Sequence, residues 1–135
     1  MIRSQNEINL THQESIEETT KLAKSMNLTP DNFRGQNLKN AGPIAVLFEA
    51  GWCPFCRGFM PIFESLQQAK VPSAIVDLSD LDNPLWETFS IDIVPTILLF
   101  NSGKIIQRYD GVSGQGLNAV IIKEIISKLK SLQEL

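Results

Sequence analysis

Apolar residues recur with helical spacing along some stretches of the chain and run unbroken along others. From Gln13 to Met26 the apolar positions Ile16, Leu22, Ala23 and Met26 fall on one helical face, diluted by Thr19 and Thr20, so a helix is expected there. "LTPDNF" (Leu28–Phe33) reads as a second helix start, with Thr29 as N-cap and Pro30 in the first helical position. That helix is expected to run to about Lys39, where "NAGP" (Asn40–Pro43) breaks it. "IAVLFEA" (Ile44–Ala50) is almost continuously apolar and of strand length, the pattern of a central strand buried on both faces. After Cys53 the row Phe59, Phe63, Leu66 and the row Ile62, Leu66, Ala69 predict a helix to about Lys70, with Pro61 inside it as a kink.

The second half continues the alternation. "SAIVDL" (Ser73–Leu78) is a strand, and "NPLWETF" (Asn83–Phe89) a short helix with Pro84 in its first turn. "TILLF" (Thr96–Phe100) and "KIIQRY" (Lys104–Tyr109) are strands joined by the turn "NSG". A last helix is expected from a Ser113 cap to Leu132, with Leu117, Val120, Ile121, Ile125, Leu129 and Leu132 facing the core. Alternation followed by a hairpin implies an α/β fold: a mixed sheet with helices on both faces. Residues 1–24 read as an N-terminal extension and residues 25–135 as one domain.

Composition narrows the class of function. The 135 residues are 43% hydrophobic and 20% charged, ordinary for a globular domain with a real core. The net charge of −3 leaves no electrostatic footprint for nucleic acid. No run approaches the roughly 20 apolar residues of a membrane span. The polar N-terminus lacks an apolar signal-peptide core, so a cytoplasmic location is expected.

The only two cysteines, Cys53 and Cys56, lie in "FEAGWCPFCRGFMP" (Phe48–Pro61), separated by Pro54 and Phe55. A working dithiol, half of a metal site and a structural staple all fit two cysteines. A staple closing so short a loop removes little unfolded-chain entropy. Zinc takes four ligands, and the one histidine, His12, lies in the extension, where it reads as a surface residue; a metal site would need carboxylates or a second chain. The dithiol has a physical rationale. Cys53 stands where the buried strand ends and a helix begins, so free N–H groups and the helix dipole favour its thiolate. Arg57 adds a positive charge nearby. Such surroundings lower a cysteine pKa from about 8.5 into the range of roughly 3.5–7.5. Cys56, nearly one turn on, is placed to close a bridge, with Cys53 as the attacking thiol and Cys56 as the resolving one.

These stretches resemble the thioredoxin family. "LTPDNFRGQNLKNAGPIAVLFEAGWC" (Leu28–Cys53) is similar to that family's first helix, central strand and Trp-Cys entry to the active site. Pro61 matches its helix-kinking proline, "IVPT" (Ile93–Thr96) its cis-proline loop, and "NSGK" and Gly111 its hairpin turn and site glycine. The resemblance spans about residues 25–132 and implies the thioredoxin fold, with an extra N-terminal segment. It implies that Trp52 and Gly111 border a shallow groove, that Pro95 is cis and holds Val94 against the dithiol, and that Val94 offers backbone hydrogen bonds to an extended substrate segment. Three features depart from the family. The dipeptide between the cysteines is Pro-Phe where thioredoxins carry Gly-Pro, closer to the Pro-Tyr of dithiol glutaredoxins. Leu47 replaces the buried aspartate six residues before the first cysteine. An N-terminal segment is added. Glu49, on the same strand face as Leu47, is a candidate substitute for the missing carboxylate, and a solvated strand end is the plainer reading of it.

The expected function is therefore thiol–disulfide exchange: reduction of disulfides in other proteins through Cys53 and Cys56, without a bound cofactor. The electron donor would be a thioredoxin reductase or glutathione. A glutathione-linked reductase and a disulfide oxidant or isomerase are alternatives on the same fold. A non-catalytic binding module, or a metal or iron–sulfur site shared by two subunits, is the alternative from another class.

Overall fold

The apolar run after Pro43 becomes the middle strand of a five-stranded sheet in the computed structural model, which describes residues 26–134. The strands are β1 (Met26–Leu28), β4 (Ile44–Glu49), β5 (Ser73–Asp77), β6 (Thr96–Asn101) and β7 (Lys104–Tyr109), in the spatial order β1-β5-β4-β6-β7. β1 and β5 run parallel to β4, whereas on its other side β6 pairs antiparallel to β4 and β7 antiparallel to β6. β6 and β7 meet at a tight turn in which Ser102 and Gly103 have φ of 54° and 81°, the handedness that two-residue hairpins need. The sheet is mixed and carries helices on both faces, as the alternation of patterns implied.

Strand alternation sends side chains to two separate cores. On one face Ala45, Leu47, Ile97 and Leu99 pack under α1 (Pro54–Gln68) and α3 (Ile121–Gln133). Phe59, Phe63 and Leu66 of α1 and Ile122, Ile125 and Leu129 of α3 fill this layer. On the other face Ile44, Val46, Phe48, Leu98 and Phe100 pack against α2 (Leu85–Thr88), Phe89 and a small hairpin, β2 (Phe33–Arg34) with β3 (Asn37–Leu38). Phe33 meets the Phe89 ring edge-on at 5.2 Å, and Phe48 meets it at 5.3 Å.

That hairpin corrects the expected helix over residues 28–39. The start signals operate: the Thr29 side chain accepts from Asp31 N–H at 3.3 Å, and Asn32 Oδ1 accepts from Thr29 N–H at 2.8 Å. They cap only one 3₁₀ turn, Pro30–Asn32, after which Phe33 turns extended at φ −122° and ψ 152°. The stretch has no helical stripe to bury. Its two core residues, Phe33 and Leu38, instead pair across the hairpin and point together into the core.

Two further expectations shift. The last helix begins at Ile121, not at Ser113, because Gly114 and Gly116 hold left-handed φ of 77° and 74°. The N-cap is Val120, with no side-chain cap, and Asn118 Oδ1 takes the Val120 N–H at 2.8 Å in the turn before the helix. Val120 consequently lies outside the helix face and is 72% exposed, whereas Ile122 is buried. Met26, expected at the end of a helix, opens edge strand β1; the rest of that expected helix lies outside the described residues. Among the described residues no helix is long and apolar enough to cross a membrane.

Candidate active site

β4 ends against the start of α1, and the dithiol sits at that junction. Cys53 N–H returns to the Ala50 carbonyl at 3.1 Å, which turns the chain through Gly51 and Trp52. Cys53 then occupies the N-cap of α1 in extended conformation, φ −100° and ψ 114°. Its sulfur accepts the Cys56 N–H at 3.3 Å, the role a serine or aspartate oxygen plays at an ordinary N-cap. The Cys53 S–H in turn donates to the Val94 carbonyl at 3.5 Å. Both cysteines are free thiols, Cys53 6% exposed and Cys56 fully covered. Burial pushes the Cys56 thiol up to about 12; its hydrogen bond to the Cys53 side chain adds to this, and the Ala50 backbone opposes it.

The other candidate residues gather around this pair. The Val94–Pro95 peptide is cis and faces Cys53. Gly111 passes directly behind it: a Cβ there would overlap the Pro95 carbonyl oxygen and stand 3.2 Å from Ile93 Cγ2. Gly111 N–H donates to Thr96 Oγ1 at 3.3 Å, and that hydroxyl donates to the Ile93 carbonyl at 2.7 Å, which ties the end of β7 to the proline loop. Pro54 opens α1, and Phe55, 46% exposed, rests on the backbone of Gly116. Arg57 lies close by but spends a guanidinium N–H on the Gly51 carbonyl at 3.0 Å, bracing the turn in front of the cysteines. Glu49 stands half-buried at the end of β4; burial raises its carboxyl above the usual range, and the charge of Asp77 raises it further.

Trp52 is 54% exposed, yet its indole is pinned. Its N–H donates to the Ser79 carbonyl at 2.9 Å, and its ring stacks on Trp86 of α2 at 6.5 Å and 6° between planes. Gly51 N–H donates to Ser79 Oγ at 2.7 Å, and Ser79 Oγ donates to Asp77 Oδ1. Asp77, Ser79 and Trp86 were not legible as site residues. The only local hint was a second tryptophan in a short polar helix. Beside Gly111 a depression of about 350 Å³ is lined by Ser90, Asp92, Ile93, Arg108, Asp110 and Gly111. Among the described residues no group of three or more His, Cys, Asp or Glu side chains stands together as a metal site.

A buried free dithiol at a helix N-terminus, facing a cis-proline loop, is built to exchange with a disulfide presented at its mouth. The comparisons agree. The sequence model of the Thioredoxin family matches residues 24–123. Thioredoxin H4 of Arabidopsis thaliana is 34% identical over 83 residues, 59% of this chain and 69% of that protein. Thioredoxin C-2 of Corynebacterium nephridii is 28% identical over 107 residues, 77% of this chain and 98% of that one. In fold, the chain superimposes on thioredoxin f from spinach chloroplast with a TM-score of 0.65 at 18% identity, over 80% of this chain and 95% of that one. The matched region contains β4, both cysteines and the cis-proline loop, and the chain belongs to the thioredoxin family of thiol–disulfide oxidoreductases.

Proposed function

We propose that the protein reduces disulfides in other proteins, with Cys53 as the attacking thiol and Cys56 as the resolving one. The observation that carries this reading is the asymmetry of the pair. The Cys53 sulfur takes a helix N-terminal N–H and lies at the Val94 carbonyl, whereas Cys56 is fully covered and held protonated by burial. The Cys53 thiolate attacks one sulfur of the substrate, and the other substrate sulfur leaves with the electron pair of the broken bond and takes up a proton. Cys56 then loses its proton and attacks Cys53 Sγ. The second substrate thiol departs, and the two electrons have moved from the dithiol, now a Cys53–Cys56 disulfide, to the substrate.

Trp52, Val94, Pro95 and Gly111 would form the groove that receives an extended substrate segment. Pro54, Phe55, Arg57 and Glu49 would set how firmly the thiolate is held. No bound cofactor is needed for this cycle. A thioredoxin reductase or glutathione would return the electrons, and the cytoplasm is the compartment whose poise suits a reductase.

The test has two parts. Cys53 should be alkylated by iodoacetamide at neutral pH well before Cys56, and Cys56→Ser should trap mixed disulfides with insulin while Cys53→Ser abolishes insulin reduction. Faster labelling of Cys56 would reverse the roles. The equilibrium potential of the pair decides direction: a value near the cytosolic poise or below supports a reductase, and one tens of millivolts higher marks an oxidant or isomerase, since about 30 mV is tenfold in equilibrium constant.

A further inference from the structure

The groove proposed for substrate uses Trp52 and leaves Trp86 without a part. These are the two tryptophans of the chain. Their indole N–H groups are bonded to successive carbonyls of one loop: Trp52 Nε1 donates to the Ser79 carbonyl at 2.9 Å, and Trp86 Nε1 to the Asp80 carbonyl at 3.2 Å. The loop is itself fixed by short side-chain bonds. Asp77 Oδ1 accepts from Ser79 N–H and Asp80 Oδ1 from Asp82 N–H, each at 2.8 Å, and Asn83 Oδ1 accepts from Leu85 N–H at 2.9 Å where α2 starts. With both N–H groups so placed, the rings lie nearly parallel, 6° between planes and 6.5 Å between centroids, an offset stack. Their surroundings differ. Trp86 is partly buried and packs on the core cluster that contains Phe48, Leu85, Phe89 and both cysteines. Trp52 is more than half exposed, directly precedes Cys53, and rests on Trp86. Trp86 is thus the link through which the core fixes an exposed ring. The cysteines do not need this link, because their turn is braced separately by Cys53 N–H on the Ala50 carbonyl and by Arg57 on the Gly51 carbonyl.

We propose that Trp86 is a positioning residue for polypeptide substrates: by stacking on Trp52 it holds that indole in place as the lip of the groove beside Cys53. The inference rests on the reading of the protein as a reductase of protein disulfides. An exposed indole tied only through its N–H still swings about that one bond, and a substrate segment lying on it would have to stop the motion. Ordering a free side chain at an interface weakens binding by about two- to tenfold. The stack removes that cost in advance, and a flat ring with few torsions is suited to such a surface. The benefit falls on substrates long enough to reach from the Cys53 sulfur to the indole face. A small disulfide that touches only the sulfur gains nothing from it, so Trp86 acts on the choice between polypeptide and small disulfides and not on the exchange chemistry.

The test compares kcat/KM for insulin with kcat/KM for hydroxyethyl disulfide, with dithiothreitol as reductant in both assays. The ratio of the two cancels any loss of folded protein. Trp86→Ala should lower the ratio about two- to tenfold, through a higher KM for insulin. Trp86→Phe keeps a flat ring under Trp52 and should restore most of it. Once Trp86 is replaced, Trp52 is the sole tryptophan, so its fluorescence anisotropy reads its motion directly and should be lower in Trp86→Ala than in Trp86→Phe. A ratio unchanged in Trp86→Ala, a Trp86→Phe protein no better than Trp86→Ala, or equal anisotropy in the two variants overturns the proposal. Failure of the unaltered protein to reduce insulin at all would instead overturn the reductase reading, a result distinct from failure of the indole stack.

Discussion

Cys56 is a neutral group with no exposed surface, and its chemistry is written in that burial. The thiol rises from 9.0 to about 12, with burial as the largest cause. The sign of the linkage is fixed by this direction. In the unfolded chain Cys56 ionises near its ordinary value, whereas in the folded protein it keeps its proton, so the stability tied to it is fully present below pH 9 and is lost as pH rises towards 12. The reduced protein should therefore show a urea midpoint that falls through this window, and Cys56→Ser should flatten the fall. A slope equal in the two proteins would place the alkaline sensitivity elsewhere. The same burial explains why the two sulfurs, adjacent in space, differ in kind. Cys53 has its sulfur on the helix N-terminus and at the mouth, and Cys56 waits behind it.

At the scale of elements, the site is a meeting of α1 with the loop between β7 and α3. That loop closes on itself, with Val112 and Gly116 exchanging hydrogen bonds at 2.8 and 2.9 Å. Gly116 has φ +74°, and a Cβ on it would come within 2.9 Å of Phe55 Cβ and 3.3 Å of its ring. The dipeptide between the cysteines is thereby fitted to a loop some sixty residues away in sequence. Gly116→Ala should cost about 1–2 kcal/mol for the left-handed backbone, with about 1–3 kcal/mol more for the overlap with Phe55. In a Phe55→Gly background only the backbone part should remain, so a double-mutant cycle on denaturant midpoints should show coupling of about 1 kcal/mol or more. Additive effects would mean that Phe55 moves aside freely.

Over the whole molecule, the hairpin that covers the sheet and the dithiol share one buried cluster but lie toward different ends of β4. Ile44 pairs with Phe100 at one end of β4, whereas Phe48 pairs with Thr96, next to the cis-proline, at the other. The β2–β3 hairpin belongs to the first end: Leu38 N–H donates to the Gly103 carbonyl at 2.8 Å, and Phe33 packs on Phe89 and Phe100. Phe33→Ala should cost about 3–5 kcal/mol of stability. Because the dithiol lies at the opposite end, the rate of Cys53 alkylation in the absence of denaturant should stay within about twofold of wild type. A large change in that rate would show that the hairpin also positions the site.

What the sequence determined by itself were the features carried by local signals. The apolar runs gave β4, β6 and β7, with β7 bounded by Lys104 and Tyr109 as expected. The cysteines fall at the start of α1 with Pro54 in its first position, and Pro95 is cis, as the resemblance carried by the short motif "IVPT" implied. Each depends on residues within a few positions of one another: an apolar period, a cap, a proline. Tertiary structure decided the rest. Thr29, Pro30 and Asn32 make a helix start wherever they occur, but only the aromatic core around Phe89 made burying Phe33 and Leu38 across a hairpin better than continuing the helix. β1 exists because β5 offers it an edge. Glu49 was visible as a carboxylate near the cysteines, but its partner Asp77 was not, since a parallel register joins residues 28 positions apart that no local pattern relates. Trp52, Ser79 and Trp86 likewise meet only because the turn after β4 and the chain after β5 leave the sheet on the same side.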